Sequence, residues 1–520
     1  MRWTQRAISL VSRAVNWFAS AVERHKVLVV LGYSIVFLAI CALLSATKLL
    51  WYDEMATYYP AKLPTVSQLV DFFWTGLDVH TPTASLFLRG VMRVFGDGPV
   101  VDRLPFAFAY LIFCICIFVF VARRCPAVYA TAAMIFPTLT LMFYYATEIR
   151  CYALVLALTG TALVSWQLAT DGINRKLCLA ALFVSLTAAI SCHYYAVFLL
   201  IPFGLAELTR TWMRKRIDWP VWAALVLSPG IILLFLPAIH AAHASYAGGM
   251  LAVTPRLGQI TSSYLYVLSI SNAPILGAAI VCLLLAPSVS RPQPGAGRIP
   301  VPDWILAGGL SLLPFFVVPA SLKIGAFSER YILPCVAGIA ILLTFALCRA
   351  FRGDRLVGTV LTLFFLGWFV FKSTGELRSQ RASNGGLGIP LGQPLRNANW
   401  VSDLGRSDLP IAVAPAVFFM TVQEYVPEGI RARVHYLANQ EMARLYGDIP
   451  SNDTNLIRFS QALPLPVVDF QTFVTGQRHF LIVMESEHPN WLVPALLERG
   501  AQLSLRTRSG SNFVFEVTMR

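Results

Sequence analysis

The chain has 520 residues, of which 57% are hydrophobic and 13% are charged, and its mean hydropathy is +0.64. A soluble globular protein is excluded, because such a protein would need far more charged and polar residues on its surface. The net charge of +14 does not indicate a nucleic-acid partner, since an excess of Lys and Arg in a membrane protein marks cytoplasmic loops and contacts with anionic lipids. We therefore predict a polytopic α-helical membrane protein whose partners include membrane lipids and no nucleic acid.

The N-terminal segment, residues 1–26, predicts an amphipathic helix on the cytoplasmic surface of the membrane. Apolar residues recur there at helical spacing among basic ones, a pattern typical of interfacial helices. The apolar members are Ile8, Val11, Val15, Phe18 and Val22, and the basic members are Arg2, Arg6, Arg13, Arg24 and Lys26. A cleavable signal peptide is not favoured, because the apolar run that follows Lys26 is long enough to span a bilayer.

Eleven apolar runs predict a transmembrane domain over residues 27–372. They are residues 27–46, 105–121, 127–145, 152–169, 177–192, 195–208, 219–239, 264–286, 304–320, 331–348 and 356–371. A helix of about 20 residues rises roughly 30 Å, which matches a bilayer core. With a cytoplasmic N-terminus, alternate connections are basic, namely residues 123–124, 174–176, 210–216, 291–298 and 349–355. This orientation obeys the positive-inside rule and makes the long loop at residues 47–103 extracytoplasmic.

An odd number of spans places the tail of the chain on the same face as that loop. Residues 373–394 are predicted to be a linker, because the glycines after Ser383 follow no strand and suit a flexible connection better than a phosphate cradle. Residues 395–520 are predicted to form a soluble extracytoplasmic α+β domain, with strands at 411–413, 480–484, 501–505 and 513–517 and a helix at 491–499. No cysteine follows Cys348, so no disulfide framework is expected.

Candidate functional residues gather at the predicted extracytoplasmic ends of the spans. Asp53 and Glu54 closely follow the first span, where carboxylates stay ionised beside water and within reach of a lipid-linked molecule. The apolar stretch 83–95 is too short to span and is predicted to lie in the membrane interface. The other candidates, expected to bind substrate, are Asp78 and His80, Arg103, Arg150 and Tyr152, His193 and Tyr194, and Glu329, Arg330 and Tyr331.

Each candidate also has a simpler interpretation when it is taken alone. Arg103, Arg150 and Arg330 fit interfacial anchors whose guanidinium groups extend toward lipid headgroups. His193 fits an aromatic belt at the membrane surface, and His80 fits a turn before a proline. The two loop carboxylates fit solvated charges. The joint occurrence of all these residues on one predicted face favours a functional site.

The series of motifs resembles a known family. The motifs are Tyr52-Asp53-Glu54, Asp78-Val79-His80-Thr81-Pro82, Arg103-Leu104-Pro105, Arg150-Cys151-Tyr152 and Glu329-Arg330-Tyr331-Ile332-Leu333-Pro334. Together they are similar, over residues 27–372, to the bacterial dolichyl-phosphate-mannose-protein mannosyltransferase-like group. These are glycosyltransferases of the GT-C fold, and the group includes the aminoarabinose transferase that acts on lipid A. The family often has two prolines where this chain has Thr81-Pro82, which leaves the acceptor open.

The resemblance implies a sugar donor linked to polyprenyl phosphate and a site on the external face of the bacterial inner membrane. It implies that Asp53 is the catalytic carboxylate, acting as a base in an inverting displacement, with Glu54 beside it. Arg330 and Arg150 are then the expected phosphate clamps, because guanidinium forks match phosphate oxygens, and Tyr152, Tyr331 or His80 would add hydrogen bonds. No cofactor is certain, and a divalent cation beside Asp53 or Glu54 is compatible with the sequence. The acceptor is a lipid, a glycan or a protein.

Two other classes of protein compete with this interpretation. A transporter or flippase of lipid-linked glycans would also have many spans and a basic cavity. However, charged residues are nearly absent from the predicted spans and no internal repeat is evident, whereas transport pathways carry ionisable groups near the midplane. A non-catalytic membrane scaffold that displays the C-terminal domain is the third interpretation.

Overall fold

The computed structural model describes residues 13, 15–246, 255–269, 272–285, 299–383, 399–446, 450–486 and 490–520. Residues 1–12 and 14 of the predicted N-terminal helix, the basic connection at 291–298 and the linker residues 384–394 lie outside the described residues. The chain forms two compact units. The helical unit comprises Met1–Leu44, Arg103–Leu234 and Val253–Ser379, and the loop–tail unit comprises Ser45–Asp102, Phe235–Ala252 and Gln380–Arg520.

The apolar runs form helices suited to a multi-pass membrane protein. Within the described residues, seven helices are long and apolar enough to span: Lys26–Thr47, Leu104–Ala122, Cys151–Thr170, Arg175–Cys192, Tyr194–Arg214, Trp219–Ala244 and Arg355–Gln380. Three further spans would be bent pairs, Ala127–Leu139 with Leu141–Thr147, Gln259–Leu268 with Asn272–Ile280, and Val301–Ser311 with Leu313–Ile324. Cys335–Ala350 is a shorter apolar helix. Every predicted run thus has a helical counterpart, and the number of spans stays a prediction.

Departures from straight helices have local causes. The first bent pair turns by 78° at Thr140, whose ψ of 171° is extended backbone that interrupts the helical hydrogen bonds. Short 3-10 helices occur at Phe136–Leu139, Leu141–Thr147, Tyr194–Leu199, Ser228–Ile231 and Glu329–Ile332. The last of the apolar helices runs over Arg355–Ser383, so the predicted linker at 373–394 begins inside a helix. Its polar end still favours helix, because Glu, Leu, Arg, Gln and Ala are good helix formers.

Three helices of the helical unit are tied together at one end by ion pairs. Arg124 bonds Asp303 at 2.6 Å and Asp171 at 3.0 Å, while Arg123 bonds Asp171 at 2.6 Å. Asp303 also accepts a hydrogen bond of 3.3 Å from Gln167. Because Asp303 is almost fully buried, these donors are needed to offset the cost of burying its charge.

The first loop folds into three helices in the loop–tail unit: Tyr52–Ala61, Val66–Trp74 and Thr83–Phe95. We call Tyr52–Ala61 the Asp53 helix and Thr83–Phe95 the interfacial helix. The interfacial helix has the bounds that the sequence predicted. It buries Leu88 and Val91 on one side, whereas Val94 and Phe95 are exposed. An amphipathic helix of this kind suits a polar–apolar boundary.

The C-terminal domain contains one six-stranded sheet. Its strands are β1 (Ile411–Ala414), β2 (Val434–Ala438), β3 (Val467–Asp469), β4 (His479–Glu485), β5 (Gln502–Ser509) and β6 (Asn512–Thr518), in the order β3-β2-β1-β4-β6-β5. The first four are parallel, and β6 pairs antiparallel with both β4 and β5. The helices are Asn399–Leu404, Ala416–Tyr425, Glu428–Arg431, Gln440–Leu445, Pro450–Ala462, Phe470–Gly476 and Leu492–Glu498. A core that includes Phe470, Phe480 and Trp491 lies against the sheet.

The four predicted strands and the predicted helix in this domain are confirmed, but two strands were missed. β2 and β3 are short, and the second residue of β2 is the polar His435. Neither shows a run of β-branched residues long enough to be recognised, because their pairing with β1 and with each other is what stabilises them. The parallel strands β3, β2, β1 and β4 refine the predicted α+β architecture.

A cluster of charges fixes the end of the first loop. The Lys62 ammonium lies 2.6 Å from both an Asp97 oxygen and the Tyr58 hydroxyl, and that hydroxyl donates to Asp97 at 3.2 Å. Asp102 is buried and accepts a hydrogen bond of 3.2 Å from the Gly98 amide. Burial and the neighbouring Asp97 carboxylate raise the pKa of Asp102 to about 7. Burial also acts to raise the pKa of Asp97, but hydrogen bonds from Lys62 and Asp102 outweigh it and lower that pKa.

We expect Asp102 to make stability depend on pH. Since the folded pKa lies above that of an unfolded chain, the native state holds a proton that the unfolded state releases. The contribution of Asp102 to stability is therefore complete at low pH and is lost as pH rises from about 4 through about 7. Asp102→Asn keeps a neutral donor, so its thermal midpoint should rise relative to wild type by a few degrees across this range. Parallel pH profiles of the two purified proteins would contradict the assignment.

Candidate functional site

The Asp53 helix carries both predicted catalytic carboxylates in its first turn. Acidic residues at this position interact favourably with the positive end of the helix dipole. Glu54 is fully buried, and its Oε2 accepts a hydrogen bond of 3.4 Å from the Trp51 amide, as the third residue of a capping box does. Asp53 is half-buried. The structure therefore gives Glu54 a capping contact and leaves Asp53 as the more accessible carboxylate.

The other end of the Asp53 helix is held by the interfacial helix. Arg89 is buried and donates to the carbonyls of Ala61 at 2.9 Å and Pro64 at 2.8 Å, and also to that of Leu63. Ser85, one turn earlier, donates to the Thr57 carbonyl at 3.1 Å. A cation beside the last carbonyls of a helix satisfies their lone pairs and complements the dipole. Nothing in the sequence alone identified Arg89, because its acceptors are backbone atoms.

Asp78 and His80 form one hydrogen-bonded pair in the same loop. An Asp78 oxygen lies 2.6 Å from His80 Nδ1 and accepts a second bond of 2.9 Å from the His80 amide. Asp78 is buried, whereas His80 is half-buried. A carboxylate at Nδ1 fixes the orientation and tautomer of an imidazole ring. The pair therefore holds the His80 ring in one orientation within the turn before Pro82.

A pocket opens in the helical unit and contains several of the predicted residues. Its lining is Tyr152, Val155, His193, Tyr195, Ala196, Phe198, Leu199, Leu313, Val317, Arg330, Tyr331, Leu333 and Pro334. The ring centroid of Tyr331 lies 4.7 Å from that of His193 and 4.4 Å from that of Tyr195. Tyr195 also donates to the Ala326 carbonyl. The pocket therefore combines one charged group with an aromatic wall and an aliphatic lining.

Two guanidinium groups lie against the same aromatic ring. The Cζ atoms of Arg150 and Arg330 are 5.8 and 5.9 Å from the ring centroid of Tyr152, a distance at which cations are attracted to an aromatic face. Arg330 Nε also donates to Ser328 Oγ at 3.0 Å, and Arg150 is almost completely buried. Arg150 begins the helix Cys151–Thr170, and Arg330 lies in a 3-10 turn, so backbone breaks bring both side chains to Tyr152.

The remaining predicted site residues lie outside the lining of this pocket. Arg103 is fully buried at the start of Leu104–Ala122, so its side chain is not an exposed interfacial anchor. Tyr194 and Glu329 each begin a 3-10 helix and do not line the pocket, and both are half-buried. Tyr195 and the aliphatic residues Leu313 and Val317, which line it, were not among the predicted site residues. No group of three or more metal-binding side chains occurs among the residues whose placement is described.

Comparison with known proteins gives a structural match and no sequence match. No protein-family model matches this chain, and no match is found among curated proteins. Crystal structures of ArnT from Cupriavidus metallidurans align with it at a TM-score of 0.54 and 12% identity in the apo state, and at 0.51 and 14% in the form bound to undecaprenyl phosphate. Each alignment covers 93% of this chain and 98% of ArnT. The chain therefore has the GT-C fold of ArnT, an aminoarabinose lipid A transferase, as its motifs predicted.

Proposed function

We propose that this chain is an inverting membrane glycosyltransferase that moves a sugar from a polyprenyl-phosphate-linked donor to a lipid, glycan or protein acceptor. The observation that carries the proposal is the pocket in which the Arg330 guanidinium lies against the Tyr152 ring, next to aliphatic side chains. A lipid-linked sugar phosphate has the matching chemistry, because it joins an anionic group to a long hydrocarbon chain. The fold of ArnT, a protein that binds undecaprenyl phosphate, agrees with this assignment.

The two arginines are proposed to hold the donor phosphate. Guanidinium groups bind phosphate oxygens through two parallel hydrogen bonds, and partial burial strengthens such bonds because less water competes for the charges. Tyr331 and His193, which contact each other, would add hydrogen bonds at the same pocket. The aliphatic residues, among them Val155, Leu313 and Val317, provide a surface on which the first prenyl units lose contact with water.

Asp53 is proposed to be the general base. Its carboxylate takes the proton of the acceptor hydroxyl or amine while the acceptor atom bonds to the anomeric carbon. The bond from that carbon to the phosphate oxygen breaks at the same time, and its electron pair leaves with the polyprenyl phosphate. Arg330 and Arg150 stabilise the charge that develops on this leaving group. Glu54 keeps the Asp53 helix capped, and no step of this mechanism depends on a divalent cation.

Arg330→Ala is expected to weaken donor binding more than any other single change in the pocket. It removes a charge-assisted fork worth about 2–3 kcal/mol, and Arg330→Lys should recover only part of it because an ammonium is a point charge. Binding of a polyprenyl phosphate to the purified protein measures the effect. Unchanged affinity in both variants would make Arg330 a structural residue and leave Arg150 as the phosphate ligand.

Asp53→Asn is expected to reduce turnover by roughly 10²-fold to 10⁴-fold, because it removes the proton acceptor and keeps the size of the side chain. Donor affinity should change little, since the phosphate is assigned to the arginines. Glu54→Gln is the matched control. It keeps an acceptor oxygen for the Trp51 amide, so its loss of turnover should be milder. Sugar transfer from a polyprenyl-phosphate donor in detergent distinguishes the two, and robust transfer by the double variant would refute the mechanism.

The proposed location of the reaction is the external face of the bacterial inner membrane. The basic connections and the odd number of predicted spans place the C-terminus there. Alkaline phosphatase, which is active only outside the cytoplasm, should be active when it is fused after Arg520. Green fluorescent protein, which fluoresces in the cytoplasm, should be inactive at the same position. The same pair of reporters fused after residue 124, in a basic connection, should give the opposite result. Cytoplasmic activity of the C-terminal fusion would overturn the orientation.

A further inference from the structure

One helix of the C-terminal domain holds the backbone just before Asp53. We call Ala416–Tyr425 the clamp helix. The Thr421 hydroxyl donates to the Leu50 carbonyl at 3.1 Å, and the Leu50 amide donates to the Tyr425 hydroxyl at 3.1 Å. Thr421 and Tyr425 are one turn apart and therefore lie on one face of the helix. Both polar backbone groups of Leu50, a buried residue, are thus bonded to side chains more than 370 positions further along the chain.

The clamp helix also contacts the residues after Asp53. Tyr59, near the end of the Asp53 helix, donates its hydroxyl proton to Glu424 at 2.8 Å. The contacts to Leu50 and Tyr59 lie on either side of Asp53 in the sequence. Because a short helix held at both ends has little freedom to rotate or slide, these bonds restrict where the Asp53 carboxylate can lie.

A second element of the C-terminal domain holds the loop just before Asp78. Arg458, in the helix Pro450–Ala462, donates to the Gly76 carbonyl at 3.1 Å. The neighbouring Phe459 ring lies 5.4 Å from that of Phe72 in the helix Val66–Trp74. Gly76 has a φ of +73°, and a Cβ at this position would lie 2.7 Å from the Ala241 backbone. The chain can make this turn only with glycine, and the turn leads directly into the Asp78–His80 pair.

We infer that the C-terminal domain is a positioning scaffold for Asp53 and for the Asp78–His80 pair of the first loop, acting through Thr421 and Tyr425 on Leu50 and through Arg458 on Gly76. This inference rests on the proposed glycosyl transfer and adds a role for the tail that needs no contact with the substrate. Thr421 and Tyr425 are positioning residues for Asp53. A displacement of about 1 Å at a catalytic group can cost on the order of 10²-fold in rate, so such bonds control turnover without binding a substrate.

The test removes the hydroxyls and keeps the side-chain shapes. Thr421→Val, Tyr425→Phe and the double variant are purified in full-length form and compared with wild type for sugar transfer. We expect kcat to fall by about 10-fold in the single variants and more in the double variant, with KM for the donor unchanged. Thr421→Ser retains the donor hydroxyl and should keep wild-type turnover. Thr475→Val is the matched control, because the Thr475 hydroxyl is exposed and bonds the Gln471 carbonyl within its own helix.

Hydrogen exchange gives a measurement that does not depend on activity. In Tyr425→Phe the Leu50 amide loses its acceptor, so peptides that cover residues 45–55 should exchange faster than in wild type or Thr475→Val. Faster exchange with unchanged kcat would overturn the positioning role, as would a higher KM for the acceptor at unchanged kcat, which would mean that the domain binds the acceptor. Absence of transfer by the wild-type protein would refute the proposed function instead, and unchanged exchange in Tyr425→Phe would refute the clamp itself.

Discussion

The structure of the loop–tail unit depends on the need to hydrogen-bond buried backbone groups. Between its three helices the first loop has carbonyls and amides that no helix or strand satisfies, and each would cost free energy if it were buried alone. Side chains from other elements supply the missing bonds. Arg89 serves the carbonyls after the Asp53 helix, Thr421 and Tyr425 serve Leu50, and Arg458 serves Gly76. Long-range polar contacts therefore help to specify the shape of the loop, in addition to its buried apolar side chains.

Because these polar contacts are buried, each donor needs an acceptor of matching geometry. Among the described residues the hydrogen-bond partners of Arg89 are carbonyl oxygens at the negative end of a helix, which balance its charge. A lysine would present fewer donors in a less rigid arrangement and would not reach three carbonyls in the same way. Arg330 and Arg150 in the helical unit illustrate a related solution, in which an aromatic ring lies beside each guanidinium. In both places neighbouring groups stabilise the charge of a guanidinium.

The two units differ in the chemistry that their side chains offer. The helical unit offers an apolar pocket with a cationic group, which matches an anion attached to hydrocarbon. The loop–tail unit offers carboxylates and a histidine on backbone that the C-terminal domain holds, and the proposed mechanism assigns the proton transfer to the Asp53 carboxylate. Glu54 and Asp53 show how adjacent residues of one type acquire different roles. The Glu54 carboxylate accepts a hydrogen bond from the Trp51 amide, and the Asp53 carboxylate is more accessible.

The sequence by itself determined what depends on local pattern. The length of the apolar runs predicted a helix for every span, and amphipathic spacing predicted the bounds of the interfacial helix. The alternation of apolar and polar residues predicted four of the six strands. The tertiary structure alone decided which residues meet. The strands β2 and β3, the capping contact of Glu54 and the acceptors of Arg89 and Thr421 depend on atoms that are distant in sequence or on backbone groups that every residue shares. Hydropathy and periodicity carry no information about such partners, because they describe only which side of an element is apolar.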